Sequence, residues 1–174
     1  MFGLTFLGIV HTAISLVALA TGVTALVRYR RIAWAQTVGR VYIVATALTC
    51  LTGFGIFQHG GFGKPHALGI ITLLVLTVAL GSELRGWFGK RARYVAPVAY
   101  SATVLFHLIP GITETTTRLP LGAPLLASPE APELQIAAAV LFTVWLILAT
   151  LQVLQMRSHP LLDSLDEELP LKHP

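Results

Sequence analysis

Imidazole is the side chain that can hold a metal, ligate a haem or pass a proton near neutral pH. This chain sets four of its six histidines, His11, His59, His66 and His107, within or beside apolar runs; His159 and His173 lie in a polar tail and are expected to be solvated. Ionisable rings gathered at one membrane depth mark a candidate site, because polar groups in lipid are costly unless paired or used.

A b-type haem in a membrane bundle needs two neutral imidazoles from different helices, facing each other across small residues. His11 shares a helical face with Gly8, Ser15, Ala18 and Gly22, and His107 shares one with Tyr100 and Thr103. These two are the expected axial pair, with His66 as the alternative partner for either. A single zinc or copper ion is the other chemistry open to the set His11, His59, His66 and His107. His59 and His66 flank the run Gly60-Gly61-Phe62-Gly63-Lys64-Pro65 and reach one ion if that turn folds back, with Glu114 as an oxygen ligand. Soft ligands are few: Cys50 and two methionines. The lone cysteine excludes an intrachain disulfide and an iron–sulfur cluster held by this chain alone. There is no C-x-x-C-H for covalent haem and no H-E-x-x-H for a zinc protease.

A second distinctive patch is Phe106-His107-Leu108-Ile109-Pro110-Gly111-Ile112-Thr113-Glu114-Thr115-Thr116-Thr117-Arg118. Pro110-Gly111 is expected to end a helix. Glu114 and Arg118 stand four apart and pair if the segment turns helically. The functional expectation is a polar lid, with Glu114 accepting protons and Arg118 anchoring a quinone or carboxylate headgroup. The plainer one is a hydrogen-bonded cap over the bundle mouth.

The elements that must position these groups follow from hydropathy. The chain has 174 residues, 55% hydrophobic and 11% charged, with a mean hydropathy of +0.74. Soluble domains carry about 25% charged residues, so lipid is the expected solvent. The net charge of +4 lies in clusters between apolar runs, which reads as membrane orientation and not as a nucleic-acid surface. Five runs are near the length of roughly 20 residues that a span needs: Gly3–Val27, Val38–Phe57, His66–Leu84, Tyr94–Pro110 and Leu134–Met156. The fourth is the shortest. Arg28, Arg30, Arg31 and Arg40, then Arg85, Lys90, Arg91 and Arg93, then Arg157 mark one side; Lys64 and Arg118 alone mark the other. The positive-inside rule puts the N-terminus outside, the C-terminus in the cytoplasm and the four histidines toward the outer face.

The expected fold is therefore an all-α polytopic bundle: a transmembrane domain over residues 1–157 with a four-helix core, a peripheral fifth helix and a proline-rich outer loop at 111–133. A cytoplasmic acidic tail covers 158–174. A bacterial inner membrane is the expected location. The order of features resembles a family of small bacterial membrane proteins with no assigned function: a histidine in the first span, Gly39-Arg40-Val41-Tyr42 opening the second, a histidine opening the third and His107 in the fourth. That resemblance covers about Val10–Arg118 and implies a helical membrane domain with shared histidines. The architecture is also similar to small transmembrane b-type cytochromes, which implies haem b and exchange of electrons with a quinone. The alternative is a non-catalytic accessory or assembly subunit that docks on other membrane subunits or on a second copy through its smooth fifth span. A small-solute or proton transporter is disfavoured, because no paired Gly/Pro interruption breaks a span at midplane.

Overall fold

The computed structural model describes residues 5–57 and 61–158. Among these residues it holds five α-helices and no strand: α1 (Phe6–Tyr29), α2 (Thr37–Gly53), α3 (Lys64–Arg85), α4 (Ala92–Arg118) and α5 (Pro132–Ser158). A 3-10 turn at Gly89–Arg91 leads into α4. Four helices, all but α2, are long and apolar enough to cross a membrane. With 17 residues, α2 is about 25 Å long at the α-helical rise.

Local chemistry sets the ends. Thr5 caps α1 by accepting the Gly8 N–H at 3.1 Å. Gly63 opens α3, Pro65 fills its first turn, and His66 reaches back to the Gly63 N–H in a capping box. Gly86 stops α3 in the left-handed region at φ 64°, where glycine carries no steric penalty.

Successive helices run antiparallel. The start of α1 meets the end of α2 through His11 and Thr52, and its end meets the start of α2 where Gly22 faces Tyr42. The end of α3 meets the start of α4 through Glu83 and Tyr100. The N-terminal end of α1, the C-terminal ends of α2 and α4 and the start of α3 therefore share a histidine end, and the basic clusters share an arginine end. The core is built from Ala18, Ala25, Tyr42, Ala45, Leu76, Ala79, Ala96, Tyr100 and Val104. Most are small, which lets neighbouring helices approach closely. The face expected on α1 is the one turned inward: Gly8, Ala18 and Gly22 are buried, with His11 and Ser15 half-buried. A Cβ on Gly22 would lie 2.7 Å from the Tyr42 ring and 3.2 Å from Val104, so only glycine lets α1 sit against both helices.

The fifth helix is peripheral, as its sequence implies. It lies on α4, with only Leu134 and Ala149 buried. Two polar contacts fix it: Trp145 Nε1 donates to Ser101 Oγ at 3.1 Å, and Gln152 Nε2 donates to the Arg30 carbonyl at 2.9 Å.

Two expectations need correction. The fourth helix is not the shortest; α2 is. Nor do Pro110 and Gly111 end α4, which carries both Pro97 and Pro110 inside it and runs on to Arg118. A proline removes one backbone donor, yet an apolar helix tolerates it when neighbours compensate. Beyond it, Thr113, Thr115, Thr116 and Thr117 each donate their hydroxyl to the carbonyl four residues back, so this polar run needs no water to stay helical. The loop is correspondingly shorter, residues 119–131, and folds back on α4 through the Leu126 N–H and the Thr116 carbonyl at 3.0 Å. The tail beyond Ser158 lies outside the described residues.

Candidate functional site

The site is assembled on α2. Its inward face carries Tyr42, Thr46 and Thr49, all buried, and then Thr52, spaced by three and four as one helical face requires. Opposite stands the α4 face of Tyr100, Thr103 and His107, all buried.

His107 is 9% exposed. Its Nε2 lies 3.1 Å from Thr46 Oγ1, and its ring meets Tyr42 edge-on at 6.3 Å between centroids and 67°. The Thr103 hydroxyl donates to the Tyr100 carbonyl at 2.8 Å. A threonine hydroxyl has one proton, so the 2.5 Å contact between Tyr42 and Thr103 is donated by the tyrosine. The result is a polar seam across the bundle, from His107 and Thr46 on one level to Tyr42 and Thr103 on the next.

His11 joins the same helix nearer the histidine end. Thr52 gives its proton to the Leu48 carbonyl at 2.8 Å, so His11 Nδ1, 3.1 Å from Thr52 Oγ1, is the donor and Nε2 is left as an acceptor. Gly53 makes room for this: a Cβ there would sit 3.1 Å from His11 Cε1. His11 and His107 lie within electrostatic range of each other, and His11 within range of Glu114. His11 is little more than one turn from the start of α1, whereas His107 is about three turns from the end of α4 because that helix continues past Pro110.

Glu114 and Arg118 form the ion pair that their spacing allows, on the last turns of α4. His66 is separate from His11 and His107. It lies at the first turn of α3, 6% exposed, with Nδ1 accepting the Gly63 N–H at 3.3 Å. Phe57 and Phe62 both stack on its ring. His59 lies outside the described residues. Among the described residues, no group of three or more His, Cys, Asp or Glu is placed to hold a metal.

For a haem, donor chemistry and packing give opposite answers. Two imidazoles on different helices are present. Their hydrogen-bond partners, Thr46 and Thr52, lie about 9 Å apart along one helix at 1.5 Å per residue, and both rings already use a nitrogen on α2. Tyr42, Thr46, Thr103 and Val104 fill the surroundings of His107 as buried side chains. The cleft between α4 and α5, against Ile109, Thr113, Leu134 and Leu141, holds only about 10 Å³, roughly the room of one water. A macrocycle between opposed His11 and His107 does not fit this packing.

Sequence reasoning passed over Glu83. It is the one acidic residue of α3. Its Oε1 accepts the Trp34 backbone N–H at 2.8 Å and its Oε2 accepts the Tyr100 hydroxyl at 2.7 Å. A carboxylate at the end of an apolar run is a signal in itself, but attention to the basic residues of that end hid it. Comparison with known protein families, with curated proteins and with solved structures finds no match.

Proposed function

We propose that this chain is an integral protein of a bacterial inner membrane, with its N-terminus outside, whose four-helix core handles protons for a quinone-type lipid carrier near the outer face. The orientation rests on the arginine end, which the positive-inside rule assigns to the cytoplasm. All five helices cross in this reading, α2 being at the lower limit of about 17 residues.

The observation that carries the proposal is the pair of histidines on the threonines of α2. His107 and His11 are each hydrogen-bonded, lie within electrostatic range of each other, and sit in a core that is otherwise largely apolar. Such groups at membrane depth are functional by default. His11 leaves Nε2 as an acceptor, and Glu114 stands on the last turns of α4 at the same end of the bundle, so the histidine end offers a ring nitrogen and a carboxylate to receive protons.

Two measurements test this on the purified full chain. Decylubiquinone is expected to bind stoichiometrically in nanodiscs; absence of binding withdraws the carrier. Oxidised and dithionite-reduced absorption spectra, with metal analysis, are expected to be featureless. A stoichiometric Soret band with sharp reduced α and β bands replaces proton handling with haem b electron transfer, and requires the helices to repack around the ligand.

The accessory-subunit reading draws on α5. That helix exposes Ile136, Val140, Ile147, Leu151 and Leu154 and touches the core on one side only. Co-purification of a stoichiometric membrane partner, lost when these positions are changed to bulkier residues, favours it.

A further inference from the structure

Two buried side-chain polar atoms among the described residues lack a hydrogen-bond partner: Gln36 Oε1 and His66 Nε2. The second differs in kind, because its surroundings decide what it offers. Gly63 donates its N–H to His66 Nδ1. A ring nitrogen that accepts carries no proton, so Nε2 carries it and is a donor. No lone pair is then left for a metal, and His66 as placed ligates neither haem nor zinc. A buried donor without an acceptor is costly, and each such group in a native fold calls for an explanation.

The surroundings supply one. Phe57 and Phe62 stack on the imidazole at centroid distances of 5.0 and 5.1 Å, with interplanar angles of 25° and 30°. The two phenyl rings are themselves 58% and 68% exposed, so they cover the histidine without being held by a core. The site thus keeps one N–H donor beneath two exposed aromatic rings. Exposed Ile70, Ile71 and Leu74 follow on α3.

We infer that His66 with Phe57 and Phe62 is the docking site for the carrier's headgroup: a planar conjugated carbonyl of the quinone type, whose oxygen accepts the Nε2 proton, with the apolar tail along α3. The inference rests on the carrier reading above and locates its binding step away from His11 and His107, whose Nδ1 and Nε2 contacts on α2 are already made. A flat headgroup is favoured because stacking is what the two phenylalanines offer. A phospholipid ester carbonyl supplies the same acceptor without the ring.

The test uses the full chain in nanodiscs of ether-linked phosphatidylcholine, which has no ester carbonyl, titrated with decylubiquinone and followed by ¹⁵N NMR of labelled histidine. Decylubiquinone is expected to shift the protonated Nε2 resonance of His66. The variant His66→Glu keeps an acceptor for the Gly63 N–H, as the capping box requires, but has no donor when ionised; it is expected to bind about tenfold more weakly or worse. The variant His66→Gln carries both an acceptor and a donor and is expected to retain part of the affinity. Wild-type binding with an unmoved His66 resonance, or equal binding by a folded His66→Glu variant, overturns this docking site and leaves the carrier reading standing. No binding by the wild type overturns both. If the resonance moves on transfer to ester-linked lipid and then ignores decylubiquinone, a lipid carbonyl holds the donor and the inference fails. Should His66→Glu not fold, the wild-type resonance decides alone.

Discussion

His107 and His66 are both buried, at 9% and 6% exposure, yet they are opposites. His107 belongs to a closed seam in which its Nε2 meets Thr46 and the next hydroxyls, Tyr42 and Thr103, meet each other. His66 sits at the rim with one nitrogen bonded to its own helix cap and the other to nothing. Burial alone therefore says little about an imidazole in a helical bundle. What separates a packing or proton-holding group from a binding group is whether its polar atoms are already answered.

The largest expected effect comes from opening the seam. Replacing Gly22 with Leu drives a branched side chain into the Tyr42 ring and Val104. We expect a loss of about 3 kcal/mol or more, at the upper end for overpacked cores, measured by unfolding in a mixed-micelle SDS titration. The rim is remote from this contact, so the His66 resonance in whatever fraction stays folded should not move. If both change together, the two regions are one cooperative unit and the contrast is false.

Next is Glu83, the anchor of the seam's far end. Glu83→Leu removes the acceptor of both the Trp34 N–H and the Tyr100 hydroxyl. Hydrogen bonds to charged groups are worth about 1.5–3 kcal/mol, so about 2 kcal/mol should be lost in the same titration. A loss below about 0.5 kcal/mol would show that water replaces the carboxylate and that this end is not dry.

Much of this arrangement was legible in the residues. The inward stripes on α1 and α4 could be read from steps of three and four, because helical periodicity is a property of the chain alone. Their convergence on α2 could not: which of two nitrogens meets Thr46 or Thr52 depends on helix rotation and depth, which periodicity leaves open. Proline misled at position 110, since its local penalty is overridden when the turns beyond it, Ile112–Thr117, satisfy their own hydroxyls. Glu83 went unread for a related reason. Its partners, Trp34 and Tyr100, lie 49 and 17 residues away, on a connection and on another helix.

A double-mutant cycle on Thr46→Val and His107→Leu sharpens the seam itself. Interhelical hydrogen bonds of this kind average about 0.6 kcal/mol in membranes, with a maximum near 1.7, so a coupling of about 1 kcal/mol is expected. Zero coupling would mean that the 3.1 Å contact is geometry without energy, and would place His107 alongside His66 as a group awaiting a partner.

The smallest effect belongs to α5, the region with least claim on the core. Trp145→Phe deletes the N–H that reaches Ser101 while keeping an aromatic ring against Phe142, now 5.6 Å away between centroids. Ser101 already donates its own proton to the Val98 carbonyl at 2.9 Å, so it loses only an incoming bond and is left without an orphan donor. About 0.5 kcal/mol should be lost, a shift of at most a few degrees in a thermal melt followed by circular dichroism. A helix held this lightly can take on a protein neighbour at little cost, which is the property an accessory subunit needs. If the substitution instead costs about 2 kcal/mol, α5 is a member of the core, its exposed face is ordinary lipid contact, and the docking reading loses its support.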